Sequence, residues 1–192
     1  MMTKETNIPV KRYYFNVEEY HLMGEVGIIA PGSRVELING EIIEMSPIRS
    51  PHSGTVNLLN RLFGKILGDD FIVSTQNPVE LNHNSEPEPD LAILKYQNDL
   101  YTKSHPKPID VVLIVEVADT SLEKDREIKL PLYAAAGIAE AWIVNLQDQQ
   151  IEVSTQPSEK GYSNRHIYRI GDTIQHELIG KLAVSEVLIT VD

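Results

Sequence analysis

Cysteine is absent from the chain, which removes disulfides, thiolate zinc sites and cysteine nucleophiles together. That composition fits a reducing compartment. Positive charge is scarce as well: 17 Lys and Arg stand against 28 Asp and Glu, for a formal net charge of −11. Proteins that coat nucleic acid draw their affinity from Lys and Arg neutralising phosphates. The balance argues against such a protein but leaves room for a nuclease with a local basic rim. No segment approaches the roughly 18 apolar residues that a membrane helix needs; the run Val111 to Val115 is closed at once by Glu116. The N-terminal stretch lacks the apolar centre of a signal peptide, and there is no internal repeat or low-complexity tract. A P-loop, a Rossmann glycine fingerprint, a G-x-S-x-G elbow and an HExxH pair are all missing. These absences lead us to expect a cytoplasmic protein with no membrane partner.

What is present suits a folded body. With 192 residues, 42% hydrophobic and 23% charged, the chain is expected to form one domain over 1–192, with its core at about 15–190. Asn16 caps a short helix through Met23, ending near Gly24. Asn39-Gly40 between VELI and EIIE predicts a two-residue hairpin, because a type I′ turn needs positive φ twice. Ser50-Pro51 reads as N-cap and first residue of a helix that repeats Val56, Leu59, Leu62, Phe63, Ile66 and Leu67 at helical spacing, with Gly68 beyond its end. Strands are expected at Phe71–Ser74, Pro78–Leu81 and the run LAIL after Asp90. DVVLIVEV is apolar on both faces and predicts a central strand covered from both sides. Thr120 or Ser121 caps the next helix, which ends at Gly137 and should kink at Pro131, where the proline ring crowds the carbonyl of Glu127. AWIVNL and three further alternating strands (Gln150–Ser154, His166–Ile170, Thr173–Glu177) complete an α/β or α+β sheet with helices on its faces.

Four residues stand out chemically. Glu116 ends an apolar run in a central strand, where an ionised carboxylate is costly unless paired or bound to a cation; it is harmless only if it lies at the solvated mouth of the strand. Asp90 follows Pro89 and opens a strand, though it can equally close a loop. Lys129 can pair with Asp125 on an exposed helix face. It can also reach back about 12 Å along the helix, at 1.5 Å per residue, toward Glu116. Lys124, in the first turn, is expected to point past the sheet edge. Glu36 pairs with Ile43 across the hairpin, either as an ordinary surface residue or as a buried acid. His52 sits near a helix start, as a cap-region residue or a phosphate contact.

These residues and their surroundings, VELINGEIIEMSP, SPHSG, EPDLAIL and LIVEVADTSLEKDREIKLPLYAAAGIAEAWIVNL, resemble the Uma-type putative restriction endonucleases of the PD-(D/E)xK nuclease superfamily, over roughly residues 15–190. The resemblance implies a restriction-endonuclease-like mixed β-sheet flanked by helices. It implies that Asp90 is the Asp of the Pro-Asp motif, that Glu116 is the second acidic residue, and that Glu36 is the upstream acid. The lysine that usually follows two positions later is replaced by Ala118, and the resemblance moves that role to Lys129 on the following helix. Ala141 and Asn145 depart from the aromatic and Asp common in the family, which reads as packing variation.

The chemistry implied is metal-dependent phosphodiester hydrolysis, with DNA as substrate. Mg²⁺, or Mn²⁺ in its place, would be held by Asp90 and Glu116, with Glu36 third or through water. Asp90, Glu116 and Lys129 form the catalytic set. Arg49, Arg61, Lys65, Lys95, Lys103 and Lys107 are candidate phosphate contacts, and a homodimer would allow both strands to be cut. A non-catalytic binding or assembly module of the same fold, and a hydrolase of another phosphate ester, are the alternatives.

Overall fold

The structure is a computed structural model and is described for residues 11–188. Asn16 caps α1 (Val17–Glu25) through a reciprocal bond with Glu19. The hairpin β1 (Val35–Ile38) and β2 (Glu41–Glu44) takes the expected register, Glu36 opposite Ile43, and Asn39 and Gly40 both have positive φ, 50° and 79°. α2 (Ser50–Leu67) starts one residue earlier than its cap signal suggests. Arg49 occupies the cap position, Ser50 is already helical, and Pro51 lies in the first turn where its missing N–H costs nothing.

A six-stranded mixed sheet has the order β3-β4-β5-β6-β7-β8: β3 (Phe71–Thr75), β4 (Leu91–Lys95), β5 (Val111–Ala118), β6 (Glu140–Asn145), β7 (Gln150–Ser158) and β8 (Gly161–Arg169). Only β5 and β6 run parallel, and such a pair needs a crossover. The crossover is carried by one continuous helical stretch: α3 (Leu122–Lys124), a π turn over Asp125–Lys129, and α4 (Leu130–Ala135). A second hairpin, β9 (Thr173–His176) with β10 (Gly180–Ala183), follows the sheet.

The period of two along β5 divides the core. Leu113, Val115 and Val117 face α2 and the C-terminal hairpin, packing with Leu59, Phe63, Trp142 and Leu182. Ile114 and Ala118 face the crossover helix, packing with Leu130, Tyr133, Ala141 and Ile143. Glu116 belongs by alternation to this second face and is 2% exposed. It is a buried carboxylate beneath a helix, away from the strand mouth.

Two expectations are corrected. Pro78–Leu81 is not a strand: Val79 and Leu81 give their N–H groups to Pro87 and Ser85 of the adjoining loop. β10 opens at Gly180, where the sequence suggests no strand. At Pro131 the helix answers the missing N–H by widening the preceding turn, with Leu130 N–H bonded to Asp125 O, five residues back. No helix among the described residues is long and apolar enough to cross a membrane.

Candidate active site

Three chain segments besides the crossover helix deliver carboxyl groups to one place. Glu36 comes from β1, where it is fully buried. The loop Glu86–Asp90 runs beside β1, anchored by Glu86 N–H on Leu37 O at 2.8 Å, and it brings Glu88 and Asp90. Glu116 comes from β5. Asp90 and Glu116 are locked together through the backbone. The Asp90 N–H donates to Glu116 Oε2 at 3.4 Å, and the Val117 N–H donates to Asp90 Oδ2 at 2.8 Å. Strand β4 begins directly after Asp90 beside β5, so the sheet itself fixes this pair.

The crossover helix supplies the cations. Lys129, 3% exposed, places its ammonium 2.7 Å from Glu116 Oε1 and 3.5 Å from Glu36 Oε2, and it donates to Glu88 O at 3.1 Å. The long reach along the helix therefore prevails over an exposed pair with Asp125, whose carboxylate instead accepts from Ser121 Oγ at 2.6 Å. Lys124 does not point past the sheet edge. It turns inward to Glu36 Oε1 at 2.9 Å, because the β1 hairpin lies under the start of the helix. With both lysines and the Glu88 N–H at 3.2 Å, Glu36 is a cation anchor.

Five carboxyl groups (Glu36, Glu88, Asp90, Glu116, Asp125) thus surround two ammonium groups, and their protonation follows from position. Burial pushes Glu116 up to about 8; Lys129 opposes this, while Asp125 and Asp90 add to it. Burial also raises Asp125 and Glu88. Burial works against the Lys129 cation, yet Glu116, Glu36 and Asp125 outweigh it and hold the lysine above its ordinary value. Asp90 and Glu36 are pushed up by burial but end below the usual carboxylate range, Asp90 through His52 and Lys129, and Glu36 through Lys129 and Lys124. Tyr133 on α4 donates to Glu116 Oε1 at 2.5 Å.

A small cavity of about 50 Å³ opens onto this cluster, lined by Asp90, Glu116, Glu88, His52, Lys124 and Lys129, with Arg34 and Arg49 among its outer residues. That space holds a few waters or a partly hydrated ion. Two hard carboxylates beside each other, an excess of acid and room for water form a donor set suited to Mg²⁺, which takes few protein carboxylates and keeps several waters.

Of the residues expected at the site, Asp90, Glu116, Lys129 and Glu36 are brought together. His52 holds Asp90 through Nε2 at 3.0 Å, and its buried Nδ1 has no hydrogen-bond partner. Among the suggested phosphate contacts, Arg49 lies at the cavity and pairs with Asp119 at 3.4 Å. Lys95 closes β4, whose other end adjoins Asp90, roughly 16 Å away at ~3.3 Å per residue. It bonds Ile109 O, and Lys107 pairs with Glu80. Sequence reasoning missed Glu88, Arg34 and Tyr133. For Tyr133 a signal existed: it lies four residues after Lys129, one turn along the same helix face.

A sequence model of the Uma2 family, described as "Putative restriction endonuclease", matches residues 17–190. The fold is similar to a crystal structure described as a putative nuclease belonging to DUF820 from Anabaena variabilis ATCC 29413. The TM-score is 0.64 at 11% identity, over 80% of this chain and 88% of that one. No curated protein matches the chain significantly.

Proposed function

Given that the chain belongs to the Uma2 family of putative restriction endonucleases, we propose that it is a metal-dependent nuclease hydrolysing phosphodiester bonds in DNA, with Asp90, Glu116 and Lys129 as its catalytic residues. The observation that carries this reading is the meeting of Asp90, Glu116 and a buried Lys129 in one cavity, from a loop, a strand and a helix distant in sequence. Burying three ionisable groups side by side opposes folding, and structure alone gives no reason to place them around open space.

Asp90 and Glu116 would hold Mg²⁺ or Mn²⁺. When bound, such an ion offsets charge on the phosphate and makes a bound water more acidic. Lys129 remains protonated throughout the physiological range, so it acts as a fixed charge and hydrogen-bond donor toward the developing phosphorane, and not as a base. His52 fixes the Asp90 carboxylate, Tyr133 fixes Glu116, and Glu36 keeps Lys129 aimed. Arg34 and Arg49 at the mouth supply the local positive rim that a chain of net charge −11 needs in order to approach a phosphate backbone. A homodimer would place two such sites on the two strands of a duplex.

Cleavage of plasmid DNA, single-stranded DNA and a small phosphodiester, with Mg²⁺ or Mn²⁺ and with chelator, tests the proposal. The wild type is expected to cut DNA only with the metal, and Asp90→Ala and Lys129→Ala are each expected to lose at least about 100-fold. Unchanged activity in both variants would overturn the site. Hydrolysis of the small ester alone would make the protein a hydrolase of another phosphate ester.

A further inference from the structure

Away from this cavity, His21 on α1, Glu86 of the loop beside β1, and His105 of the loop before β5 each turn a ligand atom toward a common point, all within 4.8 Å of one another. His21 Nε2 lies 2.7 Å from Glu86 Oε1. The His105 ring stands edge-on to His21 with ring centres 5.8 Å apart. The second observation is independent of that convergence. Glu86 is 2% exposed, and its other oxygen, Oε2, has no hydrogen-bond partner. A buried carboxylate oxygen without a donor is costly, and an ion pair with one partly exposed histidine leaves it unsatisfied.

The geometry points to a second metal site, of the zinc class, formed by His21, Glu86 and His105. Two imidazoles and one carboxylate are a nitrogen-rich set that suits Zn²⁺ or Co²⁺ and suits Mg²⁺ poorly. In a tetrahedral site with bonds near 2.0–2.1 Å, ligand atoms stand roughly 3.3 Å apart. The His21–Glu86 pair is already inside that distance, and the third ligand needs only a loop adjustment. His21 and His105 are both solvent-accessible, which leaves water for the fourth position and a route of entry.

Three segments would be joined by such an ion. α1 is attached to the Glu86 loop by the Val17 N–H on His83 O at 2.9 Å. The same loop carries Glu88 and Asp90, and the His105 loop leads into β5, which carries Glu116. The ion would therefore clamp, from outside, two segments that build the acidic cavity, and its role is structural. The proposal stands whether or not the protein cuts DNA.

Titration of the metal-free full chain with Co²⁺ at neutral pH, followed by visible absorption and by displacement with Zn²⁺, tests it. One equivalent of Co²⁺ is expected to give the intense bands of a four-coordinate site. Asp90→Asn should retain them, His105→Ala and His21→Ala should weaken affinity at least tenfold, and Zn²⁺ should raise the melting temperature of the wild type and of Asp90→Asn more than that of either histidine variant. His105 lies in a surface loop, so its truncation leaves the core intact, and circular dichroism checks this. Absence of saturable binding in the wild type overturns the proposal, and so does unchanged binding in folded His105→Ala.

Discussion

Glu116 and Glu152 are two buried acids in one row of the sheet, and they differ in almost everything else. Ile143 separates them: Glu116 pairs with Ile143 across β5 and β6, and Ile143 pairs with Glu152 across β6 and β7. One helix turn serves both, sending Lys129 to Glu116 and Arg126 to Glu152. Glu152 also meets Arg165 from β8 and the Gln150 amide. Burial pushes Glu152 up, but Arg126 and Arg165 bring it below the usual carboxylate range. Glu116 shares its lysine with Glu36 and stands near Asp90 and Asp125, and it is raised instead. Burial of a carboxylate is therefore not what marks a site. The mark is burial with too few cations, next to open space.

The largest expected difference is in activity. Glu116→Gln should lose about 10²–10³-fold in cleavage rate, while Glu152→Gln should stay within a few-fold, both read from initial rates at saturating Mg²⁺. Comparable losses in the two would erase the distinction. Stability should reverse the order. Glu152→Ala strands two guanidinium groups that can still turn to solvent, at a cost of about 1–3 kcal/mol in urea denaturation, whereas Glu116→Gln relieves acid crowding and should cost less.

The pH dependence separates them further. Between the unfolded value of 4.5 and the folded value of about 8, the folded protein holds a proton on Glu116 that the unfolded chain has lost. Stability from this group therefore falls as pH rises through that window. Glu152 has the opposite sign: its stabilisation is present above 4.5 and is lost as pH falls below it. Urea midpoints from about pH 3 to 9 should thus flatten between about 4.5 and 8 in Glu116→Gln, and below 4.5 in Glu152→Gln. The smallest effect belongs to Tyr133→Phe. Removing the hydroxyl from Glu116 should cost about 1 kcal/mol and raise the midpoint of the pH–rate profile, because a donor to a carboxylate favours its charged form.

Much of the scaffold around these acids can be read directly from the chain. Asn39-Gly40 sets the hairpin register, and with it the position of Glu36. The apolar run before Glu116 marks β5 as central, and the alternation in β5 determines which face Glu116 takes. The spacing of Lys129 from the helix start predicts its return to Glu116. Other features depend on neighbours that no local pattern encodes. Lys124 turns inward because the β1 hairpin, far away in sequence, sits beneath it. His52 meets Asp90 only because α2 begins over the mouth of β4. Glu88 looks like one more acid in a polar loop until that loop is laid against β1. The strand β10 is short, and its pairing with β9 rather than its own residue pattern defines it.

The wide turn over Asp125–Lys129 has a consequence for chain length. A π turn accommodates one residue more than an ordinary turn, so deleting a single residue between Asp125 and Lys129 would let the helix close to regular pitch with everything beyond the cut kept in its orientation. Lys129 and Tyr133 would stay on Glu116, whereas one residue added to the already wide turn would swing both away by about 100°. In this protein the partnership of acid and amine is thus sensitive to the direction of a length change: one codon lost ahead of the lysine is absorbed, and one codon gained disarms the cavity as thoroughly as replacing the lysine.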